Sequence, residues 1–320
     1  MVDEPGRACP LAYRTTARTL RHLPPLQAST LYVVGGLYGN FLALDAIIEM
    51  AEREICAGLS PPVVVFNGDF NWFNAERRAF ERVNETVLRH TALAGNVELE
   101  LGSPSPGAGC GCAYPAWVDG GTVSRSNRIM ERLQAVAAQE SALRERLRQL
   151  PVQLRVQVGQ LAVGVLHGDP DSVAGWGLAL ETIPSPGTCT DTVGTWFAEA
   201  DVDVFACTHT CVAYMQDFAV DDRRCLVMNN GSAGMPNFRG DLRGLISRIS
   251  VEPSPLPAVY GITLRGVHCD ALAVAWPTDE WQTWFETRWP AQSPAERSYG
   301  ARIREGAVHD VKRAFRVTMA

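Results

Sequence analysis

Apolar and polar positions along the chain follow two rhythms. Short unbroken apolar runs, closed by glycine, asparagine or aspartate, read as buried strands. Longer stretches with apolar residues three and four apart read as helices. The run at residues 31–34 enters the turn "GGLYGN" and is followed by a helix over 40–54, with Leu42, Ile47, Ile48 and Ala51 on its inner face. Residues 63–66 form a second strand ending at "NGD", a polar amphipathic helix spans about 75–90, and residues 93–94 lead into "GNVE". Strands alternating with helices in this way predict a crossover α/β layer.

Beyond this the texture changes. Residues 101–117, "LGSPSPGAGCGCAYPAW", are dense in Gly, Pro and Ser and predict a loop. One helix is expected over 127–150, carrying Ile129, Leu133, Val136, Leu143, Leu147 and Leu150 on one side and stopped by Pro151. "VQLRVQVGQLAVGVLHGDP" alternates about Gly159 and Gln160, as a hairpin whose second strand ends at His167. Further strands fit 202–206, 212–218, 226–228, 259–264 and 271–275. The expected organisation is an irregular lead-in at 1–29, marked by Pro5, Pro10, Pro24 and Pro25, and a main domain at 30–278 with an insertion at about 101–150. A Trp-rich helical cap at 279–320 completes it.

Composition narrows the function classes. Hydrophobic residues make up 46% and charged residues 20% of the 320, and the net charge is −6. Neither basic runs nor a basic amphipathic helix is present, which argues against nucleic acid and anionic membranes as partners. No apolar run approaches the roughly 20 residues of a membrane span. With no apolar signal-peptide centre at the N-terminus, the expected compartment is the cytoplasm. In a reducing compartment the nine cysteines are expected as core residues or metal ligands rather than a disulfide framework. A homo-oligomer is left open.

In an α/β sheet the polar residues just past the strand ends meet the ligand. Here these include Asp69, Asn96, His167 and His209, each after a different strand. An acid, an amide oxygen and two imidazoles make a plausible coordination sphere for one divalent ion such as Mn, Fe or Zn. The turn at 35–40, by contrast, holds no acid, histidine, lysine or serine.

The order "GD…GN…H…H" resembles the calcineurin-like metallophosphoesterases, whose motifs run D-x-H, G-D, G-N-H-[DE], H and G-H-x-H. The match spans roughly residues 31–235, and "NNGSAGMP" is similar to the N-P-G-S-x-G-x-P stretch of the small bacterial phosphodiesterase branch. The resemblance implies a four-layer αββα sandwich of two mixed β-sheets flanked by helices, with two metals at the strand ends. It also implies a small phosphorylated molecule as substrate or ligand.

The departures from the pattern are as informative. Gly36 stands at the aspartate position of D-x-H and Tyr38 at its histidine position. Cys211 replaces the last histidine of G-H-x-H, and Val97 the proton-donating histidine of G-N-H-[DE]. Asp69, Asn96, His167 and His209 keep the whole second metal site, whereas the first keeps only Asp69. Random decay would scatter losses over both. The resemblance therefore implies a one-metal hydrolase in which Asp69, His167 and His209 are catalytic. A catalytically degenerate binding or scaffold protein is the alternative. Tyr38, Glu98, Cys110, Cys112 and Cys211 are possible additional site residues, the cysteines opening a route to thiol-assisted chemistry. Trp72, Arg125 and Arg239 are candidate substrate contacts.

Overall fold

The structure is a computed structural model and describes residues 4–318; residues 1–3 and 319–320, the ends of the expected lead-in and cap, lie outside the described residues. In chain order the elements begin with α1 (Ala17–His22), β1 (Leu26–Ala28), β2 (Thr30–Val34), α2 (Phe41–Cys56), β3 (Val63–Asn67), α3 (Arg77–Val87), β4 (Thr91–Leu93) and α4 (Asn96–Gly102). Next come α5 (Gly120–Ala137), α6 (Ser141–Arg148), β5 (Gln153–Val158), β6 (Leu161–Leu166), α7 (Asp191–Ala200), β7 (Val204–Cys207), β8 (Tyr214–Val220) and β9 (Arg223–Asn229). The last third supplies β10 (Gly244–Ser250), β11 (Ala258–Leu264), β12 (Val267–Val274), α8 (Thr278–Arg288), α9 (Pro294–Glu305) and β13 (Phe315–Arg316).

These strands form two mixed sheets. One runs β11-β12-β10-β2-β3-β4 and the other β1-β5-β6-β7-β9-β8-β13. Side chains on successive strand positions face opposite ways, and β2 shows the consequence. Leu31 and Val33 meet Val163, Val165, Val204 and Ala206 in a core between the sheets. Tyr32 and Val34 pack outward with residues of α2, α3, α5, α8 and α9. On the far side α1 and α7 cover the second sheet through Leu20, Val193 and Phe197. Helix, sheet, sheet, helix is the resulting order of layers. Each fully buried valine or leucine of the central core contributes about 1.5–3 kcal/mol. Among the described residues, no helix is long and apolar enough to cross a membrane.

Several expectations change. The lead-in is not irregular: it carries α1 and β1, the latter paired in parallel with β5. The single helix expected over 127–150 is two, α5 and α6, broken at 138–140. In α2 the fully buried face is Ala43, Leu44, Ile47 and Met50, while Leu42, Ile48 and Ala51 are half-buried. The cap explains the rotation, because Trp281 and Trp284 of α8 pack edge-on against Phe41, with ring centroids at 6.1 and 5.7 Å. Besides α1 and β1, the sequence reading missed α4, α7, β10 and, within the expected helical cap, β13, which pairs with β8.

Candidate metal centre

The parallel strands β2, β3 and β4 of one sheet, and β6 and β7 of the other, end at the same side of the sandwich. Asp69 follows β3, Asn96 opens α4 after β4, His167 follows β6 and His209 follows β7. One ligand-type atom from each of Asp69, His167 and His209 lies within 4.8 Å of the others. His167 Nε2 is 3.3 Å from Asp69 Oδ1 and 3.2 Å from His209 Nδ1. Donor atoms gripping one tetrahedral zinc at its usual bond lengths sit about 3.3 Å apart.

The outer ring nitrogens decide which atoms face inward. His167 Nδ1 donates to the carbonyl of Asn67 at 2.8 Å, and His209 Nε2 donates to the carbonyl of Cys112 at 3.2 Å. Both imidazoles therefore turn an unprotonated nitrogen toward the same point, beside a carboxylate. Such carbonyl partners fix the tautomer of metal-binding histidines. Three lone pairs so arranged repel one another unless a positive charge stands between them.

The electrostatics agree. Burial penalises the Asp69 carboxylate, yet the His167 and His209 imidazoles more than offset this and hold its pKa below the ordinary value. Burial also disfavours charge on His167, but Asp69 outweighs it and raises the imidazole pKa. His209 is pushed down to about 3 by burial and by His167. Asp69 thus favours positive charge at the point where the two inner ring nitrogens meet it, and His209 itself stays neutral. Asn96 adds a further sign. Its Nδ2 donates to the Cys110 carbonyl at 3.0 Å, while its Oδ1 is buried without any hydrogen-bond partner. Asn96 lines the same cavity as Asp69 and His209. An orphaned carbonyl oxygen, a carboxylate and two bare imidazole nitrogens suit a divalent cation of the borderline class.

The turn at 35–40 acts through its backbone. Its amides at Gly36, Tyr38 and Gly39 donate to the carbonyls of Gly68, Asp69 and Phe70 at 3.2, 3.0 and 2.8 Å. The turn thereby clamps the loop that presents Asp69. Asp69, Tyr38 and Cys211 all have left-handed backbones, with φ of 53°, 53° and 59°. Such strain outside glycine costs of order 1–3 kcal/mol each and clusters at functional sites. Close approach also dictates Gly95, where a methyl group would collide with Asp69 Oδ1.

The sequence-derived candidates separate clearly. The Tyr38 hydroxyl hydrogen-bonds the Cys211 sulfur, and the Tyr38 ring lies over Gly36. Burial raises the pKa of both groups, so the phenol and thiol stay protonated and answer each other. Val97 is buried against the core. Glu98 is neither a surface residue nor part of the cavity wall: its carboxylate lies behind Asp69, accepting the amides of Asp69 and Gly95 at 2.6 and 3.1 Å. Burial and the Asp69 charge push its pKa up to about 7.

The loop at 103–119 does fold over the centre, but its thiols are not free: Cys110 and Cys112 are joined as a disulfide, contrary to the expectation of free thiolates. What the loop offers to Asn96 and His209 is its carbonyls. Trp72 lines the cavity. Arg125 and Arg239 do not, because Arg125 is held by Ser298 and Thr122 and Arg239 by the Val308 carbonyl. Sequence reading missed Tyr114, Trp176 and Tyr299, which complete the wall. Trp176 is set by Asp169, whose carboxylate accepts the amides of Asp171, Ser172 and Gly177 at 3.0, 3.0 and 2.9 Å.

Two mixed β-sheets between helical layers are a fold shared with a solved metallophosphoesterase, and the buried Asp69, His167 and His209 stand at its strand ends. A hypothetical protein from Pyrococcus horikoshii shares it over 88% of this chain and 99% of its own length, with a TM-score of 0.58 and 14% identity. A metallophosphoesterase from Sphaerobacter thermophilus matches over 88% and 100%, with a TM-score of 0.50 and 15% identity. At such identities the likeness is one of fold. No family model matches the chain, and no curated protein matches it in sequence.

Proposed function

We propose that the protein is a one-metal hydrolase of phosphoester-type substrates, in which Asp69, Asn96, His167 and His209 hold a single divalent ion, Mn, Fe or Zn. The observation that carries this reading is the pair of imidazoles whose tautomers leave His167 Nε2 and His209 Nδ1 bare, 3.2 Å apart and beside Asp69. A bound ion would supply Lewis acidity and lower the pKa of water toward about 7. The chain's own residues do the rest. Asp69, Asn96 and the two histidines fix position, and the cavity wall excludes bulk water. The Tyr38–Cys211 pair occupies the place of a second ion.

A second reading, a binding or scaffold protein on the same fold, draws on Val97 and on that same neutral pair. Neither side chain can protonate a departing oxyanion as an imidazolium does. Titration of metal-free protein with Mn or Zn while hydrolysis of bis(4-nitrophenyl) phosphate is followed separates the two. Turnover should rise to a plateau at one equivalent, and a second equivalent should add nothing. No turnover at any loading, with the ion bound, favours the scaffold.

A further inference from the structure

The cavity above the centre is roughly 170 Å³. Its wall is built from the rings of Tyr38, Trp72, Tyr114, Trp176 and Tyr299, drawn from five separate segments of the chain. The rings are held rather than loose. Trp176 Nε1 donates to the Cys112 carbonyl at 3.0 Å, and its ring lies 5.3 Å from His209 and 5.7 Å from Tyr114. The Tyr114 hydroxyl pairs with Ser126 and the Tyr38 hydroxyl with Cys211, so these phenols meet the cavity with their rings.

Among the described residues, no lysine or arginine lines this wall. Arg302, which hydrogen-bonds beside Cys211, is turned onto the carbonyls of Pro236 and Cys211 at 2.6 and 3.2 Å. The only carboxylate in the lining is Asp69.

We infer that this wall is a subsite for an aromatic ring, and that the preferred ligand is a monoanionic aryl phosphodiester. The inference rests on the one-metal reading above, and three independent features lead to it. The first is shape and chemistry: five aromatic side chains around a small cavity suit a planar ring in stacked or edge-on contact. The second is charge. A divalent ion with Asp69 leaves a net charge of at most +1, since the Glu98 carboxyl behind it can only lower the sum. A diester monoanion neutralises that charge. A monoester dianion would leave a negative charge in an apolar cavity without a cation to pair with it, which is costly. The third is the leaving group. With Val97 in the proton donor's place, the wall has no imidazole or carboxyl beyond the proposed ligands, the Tyr38 hydroxyl and Cys211 thiol are engaged with each other, and the Tyr114 hydroxyl is paired with Ser126. In hydrolysis the oxygen of water bonds to phosphorus as the P–O(aryl) bond breaks. The ring oxygen departs with the electron pair as phenolate, and the proton of water passes to solvent. A phenol, with a pKa of about 10, departs this way far more readily than an alkanol. A quaternary ammonium diester fits less well, since it is net neutral and finds no free carboxylate.

Calorimetric titration of protein loaded with one equivalent of Zn tests this without turnover. The probes are phenyl methylphosphonate, methyl methylphosphonate, phenylphosphonate at a pH where it is a dianion, and a choline ester of methylphosphonate. Phenyl methylphosphonate should bind tightest, at least about fivefold ahead of its methyl counterpart. Trp72→Leu, and independently Trp176→Leu, should remove that advantage, read in each variant as the ratio of phenyl to methyl affinity. Equal binding of phenyl and methyl probes, with the metal content confirmed at one, overturns the subsite and leaves the one-metal reading standing. Tightest binding of the dianion or of the choline ester also overturns it. A metal content of zero defeats the underlying reading instead.

Discussion

Asparagine in place of Asp69 is expected to abolish metal binding and hydrolysis together. Asp69 is the one full negative charge among the four proposed ligands, and Oδ1 faces His167 Nε2 at 3.3 Å in a buried setting. Altering mere outer partners of metal ligands costs about 10–100-fold in affinity, so loss of the anionic ligand itself should exceed about a hundredfold. Asparagine is the informative choice because it tolerates the left-handed backbone at this position, φ 53°, better than alanine does. The fold should survive, and a far-ultraviolet circular dichroism spectrum like that of the parent would show it. Arg125→Ala serves as the comparison, since Arg125 is tied to Ser298 and Thr122 outside the cavity and its loss should leave metal affinity as it was. Wild-type affinity in Asp69→Asn would remove Asp69 from the centre.

The largest effect on stability is expected from Arg248→Met. Arg248 lies in the middle of β10 with none of its side chain exposed, and neither is that of Glu54 on α2. Its Nε and Nη2 donate to the two Glu54 oxygens at 2.6 and 3.0 Å. The Tyr32 hydroxyl donates to Oε1 of the same carboxylate at 2.8 Å. Removing the guanidinium strands a buried carboxylate, which typically costs about 3–5 kcal/mol. Urea unfolding should show this as a lower midpoint with little change in slope. Arg248→Met combined with Glu54→Leu should recover part of the loss, because the buried carboxylate leaves with its partner, while Asp270, 3.6 Å from Arg248 Nη1, and the Tyr32 hydroxyl still lose theirs. A double variant no better than the single one would place the cost in packing instead.

Arg248 also shows why part of the fold was hidden in the sequence. "GLISRIS" lacks the apolar run that marks a buried strand, because Ser247, Arg248 and Ser250 interrupt it. All seven residues are buried nonetheless, since the arginine meets Glu54, 194 positions away, and Ser250 shares a hydrogen bond with Thr30. Where a strand carries an unbroken apolar run, as in β2, β3 and β6, the run alone placed it. The break between α5 and α6 was obscured for another reason: Ala138, Gln139 and Glu140 within it all have good helix propensity.

The strand-end side chains proposed as ligands were legible because each follows a strand with a short polar signature, "GD", "GN", "HGD" and "THT". The aromatic wall was not. Tyr114, Trp176 and Tyr299 come from two loops and a helix of the cap, and no spacing links them. Likewise the Tyr38–Cys211 contact joins positions 173 apart. The sequence marked both as departures from a pattern, and only the folded chain shows that they fill one space together. The disulfide across Gly111 was missed because composition spoke for a reducing compartment, whereas the loop brings the two sulfurs together whatever the compartment.

The central claim is one cation held beside a place closed by a phenol and a thiol. Anomalous scattering from crystals grown with Mn or Zn in excess addresses it most directly. The account predicts a single strong peak among Asp69, Asn96, His167 and His209, and none between Tyr38 and Cys211. A second peak at Tyr38 and Cys211, or no peak among the four, would contradict it.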